Sequence, residues 1–441
     1  MRIVIVGFQS AGLTAAATAR LHNREAEITV IERRSYATYH PCGLPFVIGG
    51  EVPELRDLVE TAPRLQGVDV RLGVEAKAID VKEKTVEVLD LKTLQVEKIP
   101  YDKLILATGS VALRPPIPGM NLGNVFSLRT IEDGEKILSA LPGSRKAVVV
   151  GAGPIGVETA SALKERGLDV VLIEMLPNVL PGMLDSDMAG IVAERLVKSG
   201  IRVICSKAVK ELRGVERVSS VVLDDEEIPT DLVIMAIGVK PDVELAVRAG
   251  LALGPTKTIA VDDHLRTSNP DIFAIGDCAE ARCLITKRPV RSQLATTAIR
   301  MGRVAGINAA GGDEVFDGVL NAVVTIAGGL EVASVGLTAT VAGEAGIEAV
   351  SARVRCLNKP HYFPGAEPVT IKLVAERKGL RLLGGQFLGT GAAERANRLA
   401  LAIRKEMTAK EFSKVDYCYA PPVSDSIDSM VVAAEALLRR R

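Results

Sequence analysis

Cys42 lies in the stretch HPCGLPFVIGG (40–50), just ahead of a short apolar segment with Pro45 at an early helical position. No second cysteine follows within about a helical turn. A solitary cysteine is usually a buried, inert side chain. At a helix start it can instead be a thiolate, which the helix end stabilises by roughly 0.3–1 kcal/mol, and more when partly buried. His40 precedes it by two residues, and its near-neutral pKa would let it serve as an acid or orient a substrate, or it is incidental. The other cysteines are Cys205, Cys278, Cys283, Cys356 and Cys418. None forms C-x-x-C, and the spacing gives neither a zinc site nor a disulfide framework, as expected of a reducing cytoplasm.

The elements around such a thiol must also hold its redox partner. RIVIVG (2–7) reads as a buried parallel strand, GFQSAG (7–12) as a glycine turn and LTAAATARL as a helix. A second strand, ITVIE, ends at Glu32. Strand, glycine turn, helix, strand and acid form a dinucleotide unit, with pyrophosphate at the helix N-terminus and the acid on the ribose. Gln9 replaces the usual second glycine, and an ordinary βαβ turn is the competing reading. The unit recurs at 146–174, KAVVVGAGPIGVETASALKERGLDVVLIE, with a complete G-x-G-x-x-G at Gly151, Gly153 and Gly156 and with Glu174 closing its second strand. Two such units imply two cofactors, with a hydride passing between nicotinamide and flavin. Glu174 accepts from ribose hydroxyls and repels a 2′-phosphate, so NADH is favoured over NADPH, which is tolerated.

The chain has 441 residues, enough for two to four domains at roughly 150 residues each. Its 54 Lys and Arg balance 54 Asp and Glu, which argues against a nucleic-acid binder. It opens on a strand, with no secretory signal expected. No apolar run reaches the length of about 18 residues that a membrane helix needs.

Two further stretches, YDKLILATGS (101–110) and IFAIGDCAE (272–280), complete a resemblance to the two-dinucleotide-domain flavoprotein disulfide reductases. The resemblance covers most of the chain. It implies an α/β fold with two Rossmann-like dinucleotide-binding domains plus an α+β C-terminal dimerisation domain. The FAD domain would comprise 1–112 and 246–318, and the NAD(P)H domain 113–245, entered through the Pro-rich linker RPPIPGMN (114–121). Residues 319–441 would dimerise, with antiparallel strands followed by helices near 392–407 and 425–440. FAD residues implied are Gly7, Ser10, Ala11, Gly12, Glu32, Arg33, Pro41, Cys42, Thr108, Gly109, Gly276, Asp277, Ala295 and Thr296. For NAD(P)H they are Gly151, Gly153, Pro154, Ile155, Gly156, Glu158 near the nicotinamide, Glu174 and Gly238.

Glutathione- and lipoamide-type members carry a cysteine pair where this sequence has only Cys42. It resembles the single-cysteine branch: CoA disulfide reductases, CoA-persulfide or polysulfide reductases, and NADH oxidases and peroxidases. PCGLPFVIGG, HYFPGAEPVTIKL (361–373) and DYCYAPPVSDSIDSM (416–430) look most like the CoA-type members. The resemblance implies that the partner of Cys42 is a substrate sulfur, joined as a mixed disulfide or persulfide, with CoA as substrate or bound thiol. Tyr362 and Tyr419 would reach the partner subunit's cysteine and donate a proton or hydrogen bond to the leaving sulfur, or else pack at the interface. Arg20, Arg300 and Arg303 are candidates for the CoA phosphates, or are solvated helix faces. In the helix around 294–306, Ile299 and Met301 depart from the family's A-N-R-Q-G-R. Cys278 and Cys418 read as structural. The expected protein is thus a cytoplasmic, homodimeric FAD-dependent NAD(P)H reductase of CoA disulfide, CoA persulfide or polysulfide. The alternative is an oxidase or peroxidase acting on oxygen or hydrogen peroxide.

Overall fold

The computed structural model describes residues 1–60 and 65–440. It divides into two compact units. The first holds Met1–Pro41, Glu54–Ala112 and Val239–Val319; the second holds Cys42–Pro53, Leu113–Gly238 and Leu320–Arg441.

In the first unit the β-branched run RIVIV forms strand Arg2–Val6, buried from Ile3 onward. It is flanked in parallel by Glu27–Glu32 and Lys103–Leu106. Val68–Leu72 and Ile272–Ala274 close the two edges of the five-stranded sheet. Such continuous apolar strands need cover on both faces. Part of the cover is the helix pair Ser10–His22 and Ala295–Ala309. The two approach on small residues: a Cβ added at Gly302 would stand 2.5 Å from the Ala11 carbonyl oxygen, and one at Gly306 would stand 2.6 Å from that of Ala15.

The second unit repeats the scheme. Lys146–Val150 runs parallel to Asp169–Ile173 and Leu232–Met235, with Arg202–Ile204 and Val125–Ser127 outermost. After it comes a five-stranded antiparallel sheet in the order Val323–Ala327, Leu330–Gly336, Leu382–Leu388, Pro368–Glu376, Ala349–Leu357. Helices Ala392–Arg404 and Ser429–Leu438 follow, with a short helix Ala409–Phe412 between them that the apolar pattern did not announce. Among the described residues no helix is long and apolar enough to cross a membrane.

The cysteine segment departs from the expected division. Cys42–Pro53 groups with the second unit rather than with the rest of 1–112. Its helix Leu44–Gly49 lies on helix Pro154–Glu165, close enough that a Cβ on Gly49 would be 3.3 Å from the Ala162 Cβ. The chain also re-enters the first unit at Val239, ahead of the expected 246.

Asp185 bolts the nucleotide-type sheet of the second unit to its antiparallel sheet. Its carboxylate accepts from Gln386 Nε2 (2.7 Å), Thr340 N (3.0 Å), Thr340 Oγ1 (2.8 Å) and Ala339 N (3.2 Å). Lys372 Nζ lies 3.0 Å away and also 2.7 Å from Asp187, while the Asp185 N–H donates to Gln386 Oε1 at 2.8 Å. Burial alone would raise the Asp185 pKa, but the Gln386, Lys372 and Thr340 donors outweigh it and hold the carboxyl far below the usual range. A group whose folded pKa is depressed contributes stability that is complete above its ordinary value and lost as pH falls through the folded one. The wild-type contribution should therefore decline below about pH 4. Asp185→Ala should cost about 3 kcal/mol by leaving Lys372 and the amides short of an acceptor. Thermal melts of both proteins between neutral and acidic pH check this: their difference should narrow on acidification.

Candidate active site

The first glycine turn is set by a carbonyl. Gly7 takes φ +103°, and a Cβ there would stand 2.2 Å from the Ala107 oxygen. One on Gly12 would stand 1.9 Å from the Gly7 oxygen. Glu32, 2% exposed, accepts the Phe8 N–H at 2.9 Å through Oε2 and the Arg34 N–H at 3.0 Å through Oε1. Arg34 clasps it side on, with Nε 2.9 Å from Oε1 and Nη2 3.0 Å from Oε2. Burial works against the Arg34 charge, yet Glu32 carries its pKa above the ordinary value. Arg33, the sequence candidate, is exposed; its neighbour makes the pair, a distinction that the doubled arginine hides. Gln9 does not fill the cradle. With its amide turned to satisfy both groups, it donates to the Tyr39 oxygen at 3.0 Å and accepts from Arg34 Nη2 at 3.2 Å.

The remaining first-unit candidates converge on the same side. Thr108 Oγ1 donates to the Asp242 oxygen at 2.5 Å, and the Asp242 N–H returns a bond to the Gly109 oxygen at 2.9 Å. Gly109 has φ +73° and nothing within 4 Å of a Cβ position. Asp277 follows Gly276, whose added Cβ would be 3.1 Å from that of Ala11, and accepts from Ser110 Oγ at 2.6 Å. Ser110, the last residue of the ATGS stretch, was missed from sequence. Ala295 and Thr296 are exposed at the start of the long helix Ala295–Ala309. Cys278, read as structural, is fully buried, with its thiol pushed up by burial.

The second turn copies the first. Gly151 has φ +99°, and its Cβ would meet the Ala236 oxygen at 2.5 Å; a Cβ on Gly156 would meet the Gly151 oxygen at 1.8 Å. Glu174, 6% exposed, accepts from Ala152 N at 2.7 Å and Leu176 N at 2.9 Å. Gly153 keeps open space, while Pro154 and Ile155 begin the helix. Gly238, at φ +97°, accepts from Leu113 N at 3.1 Å. Glu158 faces the antiparallel sheet, taking the Thr325 hydroxyl at 2.6 Å. Burial raises its pKa, against the pull of that hydroxyl and the Ile326 N–H.

Cys42 is an exposed thiol in the 3₁₀ turn Pro41–Gly43, which runs into helix Leu44–Gly49 with Pro45 in its first turn. His40 is tied down, its Nε2 3.0 Å from Glu60 Oε1. Tyr362 (63% exposed) and Tyr419 (50%) are neighbours, and Tyr362 raises the Tyr419 pKa. Val423 and Ile427 stand exposed in the same C-terminal part of the chain.

Two arginines need correction. Arg20 spends its guanidinium on backbone carbonyls, those of Arg24 and Ala26 at 2.6 Å and that of Gly67. It clamps a loop and does not await a phosphate. Arg300 is held by Asp317 and the Gly318 oxygen, both at 2.9 Å, and stacks over Phe316. Arg303 is exposed on the same helix.

Residues 1–302 match the family described as pyridine nucleotide-disulphide oxidoreductase, and 323–431 match the dimerisation domain of that family. An NADH oxidase of Methanocaldococcus jannaschii is 40% identical over 447 residues, spanning 100% of this chain and 99% of the relative. The NAD(P)H coenzyme A polysulfide/persulfide reductase of Pyrococcus horikoshii is 32% identical over 448 residues, spanning 99% and 98%. The solved structure of a NAD-dependent persulfide reductase from A. fulgidus superposes with a TM-score of 0.96 at 36% identity, covering 100% of this chain and 84% of that one. With two matching glycine turns, an exposed Cys42 thiol and these likenesses along its whole length, the chain belongs to the pyridine nucleotide-disulphide oxidoreductase family.

Proposed function

We propose that this protein is an FAD-dependent NAD(P)H reductase of a sulfur–sulfur bond, in CoA disulfide, CoA persulfide or polysulfide, working as a homodimer through Cys42. The observation that carries the reading is the exposed thiol of Cys42, set in a turn that runs into a helix, in a chain with two glycine turns each locked by a buried carboxylate. The division proposed is FAD on 1–112 and 246–318, NAD(P)H on 113–245 and dimerisation through 319–441, with the Cys42 segment packed in the second unit.

The residues fit both nucleotides. At each turn the first and third glycines are closed by backbone, whereas Gly109 and Gly153 face open space. Gly7, Ser10, Ala11, Gly12, Glu32, Thr108, Gly109 and Asp277 would hold FAD. Gly151, Gly153, Gly156, Glu158 and Glu174 would hold NAD(P)H. Glu174 favours NADH, because its carboxylate repels a 2′-phosphate. When bound, FAD supplies the two-electron relay between nicotinamide and sulfur.

The chain's own chemistry starts at Cys42. Its thiolate attacks one sulfur of the substrate, forming a Cys42–S–S–R bond and expelling the other sulfur as thiolate or hydrosulfide. Two-electron reduction of that bond, which FAD would relay from NADH, would release R–S− and return the Cys42 thiolate. The hydroxyls of Tyr419 and Tyr362 would donate a proton or hydrogen bond to the departing sulfur. Arg303 is the proposed contact for a CoA phosphate. The exposed tyrosines with Val423 and Ile427 support a role at a subunit interface. The NADH oxidase relative favours a second reading, in which oxygen or peroxide is the acceptor.

Cys42→Ser should keep FAD and its bleaching by NADH under anaerobic conditions, while NADH consumption with CoA disulfide, CoA persulfide or polysulfide falls to background. Retained sulfur turnover would overturn the mechanism, and fast consumption only with air or peroxide would favour the oxidase reading. Glu32→Ala should lose most of the FAD on purification, because Phe8 N and Arg34 lose their shared acceptor. Flavin absorbance per chain measures this.

A further inference from the structure

Helix Leu44–Gly49 is short, about 9 Å at 1.5 Å per residue, so whatever fixes its far end also aims the turn at its start. A helix end leaves its last carbonyls in need of donors. Here three of them, on Phe46, Val47 and Ile48, have an identified one. The Phe46 oxygen accepts from Gly50 N (2.9 Å), Glu51 N (3.0 Å) and Val52 N (3.2 Å), and the Val47 oxygen accepts from Gly50 N at 3.1 Å. The Ile48 oxygen is taken from outside the segment by Arg166 Nε at 2.8 Å. Arg166 caps helix Pro154–Glu165, the helix whose first turn is the second nucleotide cradle. The fit around it is close. Gly50 sits at φ +92°, and a Cβ there would be 2.9 Å from Arg166 Nη2. Gly49 rests on Ala162 one turn earlier in the same helix. A cation at a helix C-terminus also complements the helix dipole.

We propose that Arg166 is the positioning residue of Cys42, clamping the cysteine helix to the NAD(P)H helix. Cys42 is the middle residue of the turn Pro41–Gly43 that leads directly into Leu44, and Pro45 stiffens the joint by fixing its φ. With Leu44, Val47 and Ile48 buried along the helix, the element moves as one body or not at all. Removing the guanidinium leaves the Ile48 carbonyl without this donor and opens a gap beside Gly50. The helix then gains freedom to tilt, and the thiol moves with it. This inference rests on reading Cys42 as the sulfur nucleophile.

The test uses the FAD-loaded full chain and the variants Arg166→Ala, Arg166→Gln and Arg166→Lys. Two quantities are read: kcat and KM with the preferred sulfur acceptor and NADH, and the rate of Cys42 alkylation by iodoacetamide, resolved from Cys418 by peptide mass mapping. Misplacing a reacting group by about 1 Å can cost on the order of 100-fold, so a partial loosening should lower kcat about tenfold. KM for NADH should stay unchanged, and the alkylation rate should change about threefold or more by the same argument. Arg166→Lys, which keeps the charge and one donor, should recover most of both, and Arg166→Gln little. An unchanged alkylation rate and unchanged kcat in Arg166→Ala and Arg166→Gln overturns the proposal, even if their melting temperature drops. If the wild type turns over no sulfur acceptor, the functional reading fails, yet the alkylation comparison still decides the role of Arg166.

Discussion

Two peptide oxygens, those of Ala107 and Ala236, each point at a spot where no side-chain carbon can stand, and the molecule is organised around that exclusion. Gly7 and Gly151 turn there with positive φ, and Gly12 and Gly156 then let each following helix descend on the turn itself. The result in both cases is a helix start facing away from the end of a parallel strand, the arrangement that binds a pyrophosphate. A buried carboxylate locks each turn by accepting the amide of the residue after its first glycine, Phe8 for Glu32 and Ala152 for Glu174. The repeat is thus physical as well as sequential: the same steric constraint and the same carboxylate-to-amide lock occur twice in one chain.

Helix Pro154–Glu165 shows how much a single element can carry. Its first turn shapes the nucleotide cradle, and Glu158 meets Thr325 on the antiparallel sheet. Ser161 Oγ accepts the Gly328 N–H at 3.0 Å. Ala162 and Arg166 at the far end support the cysteine segment. Asp185 repeats the theme a little further along the chain, joining two sheets through Ala339 and Thr340 on one helix and Lys372 and Gln386 on two strands. None of these bonds is local in sequence, so the rigidity of the second unit is a tertiary property.

The sequence was most readable where one local rule decides the structure. Glycine turns, uninterrupted apolar strands and the acid that ends each unit need only neighbouring residues to be recognised. The Thr408–Glu411 capping box before the short helix Ala409–Phe412 was equally local, but four residues give no apolar period to notice. The arginines failed for a different reason. Arg20, Arg34 and Arg300 all have their roles set by chain segments or carboxylates brought in by folding, and composition cannot tell a clamp from an anion site. Gln9 looked like a defect in a glycine motif. Its amide folds back onto Tyr39 and Arg34 instead, so the turn tolerates a side chain where most such turns have none. The cysteine segment, finally, is contiguous with the first unit in sequence and belongs to the second by packing.

That last displacement matters for anyone recombining such enzymes. The natural seams suggested by the linker and the two glycine motifs would move 113–245 as a cassette and leave Cys42–Pro53 behind. A graft cut along those seams would transplant a nucleotide preference while discarding the floor on which the recipient's thiol stands. A chimera that respects the packing needs a discontinuous exchange, with the dozen residues from Cys42 travelling with the domain that follows them. Inheritance of the Cys42 segment and inheritance of the second glycine turn are, in this architecture, the same event.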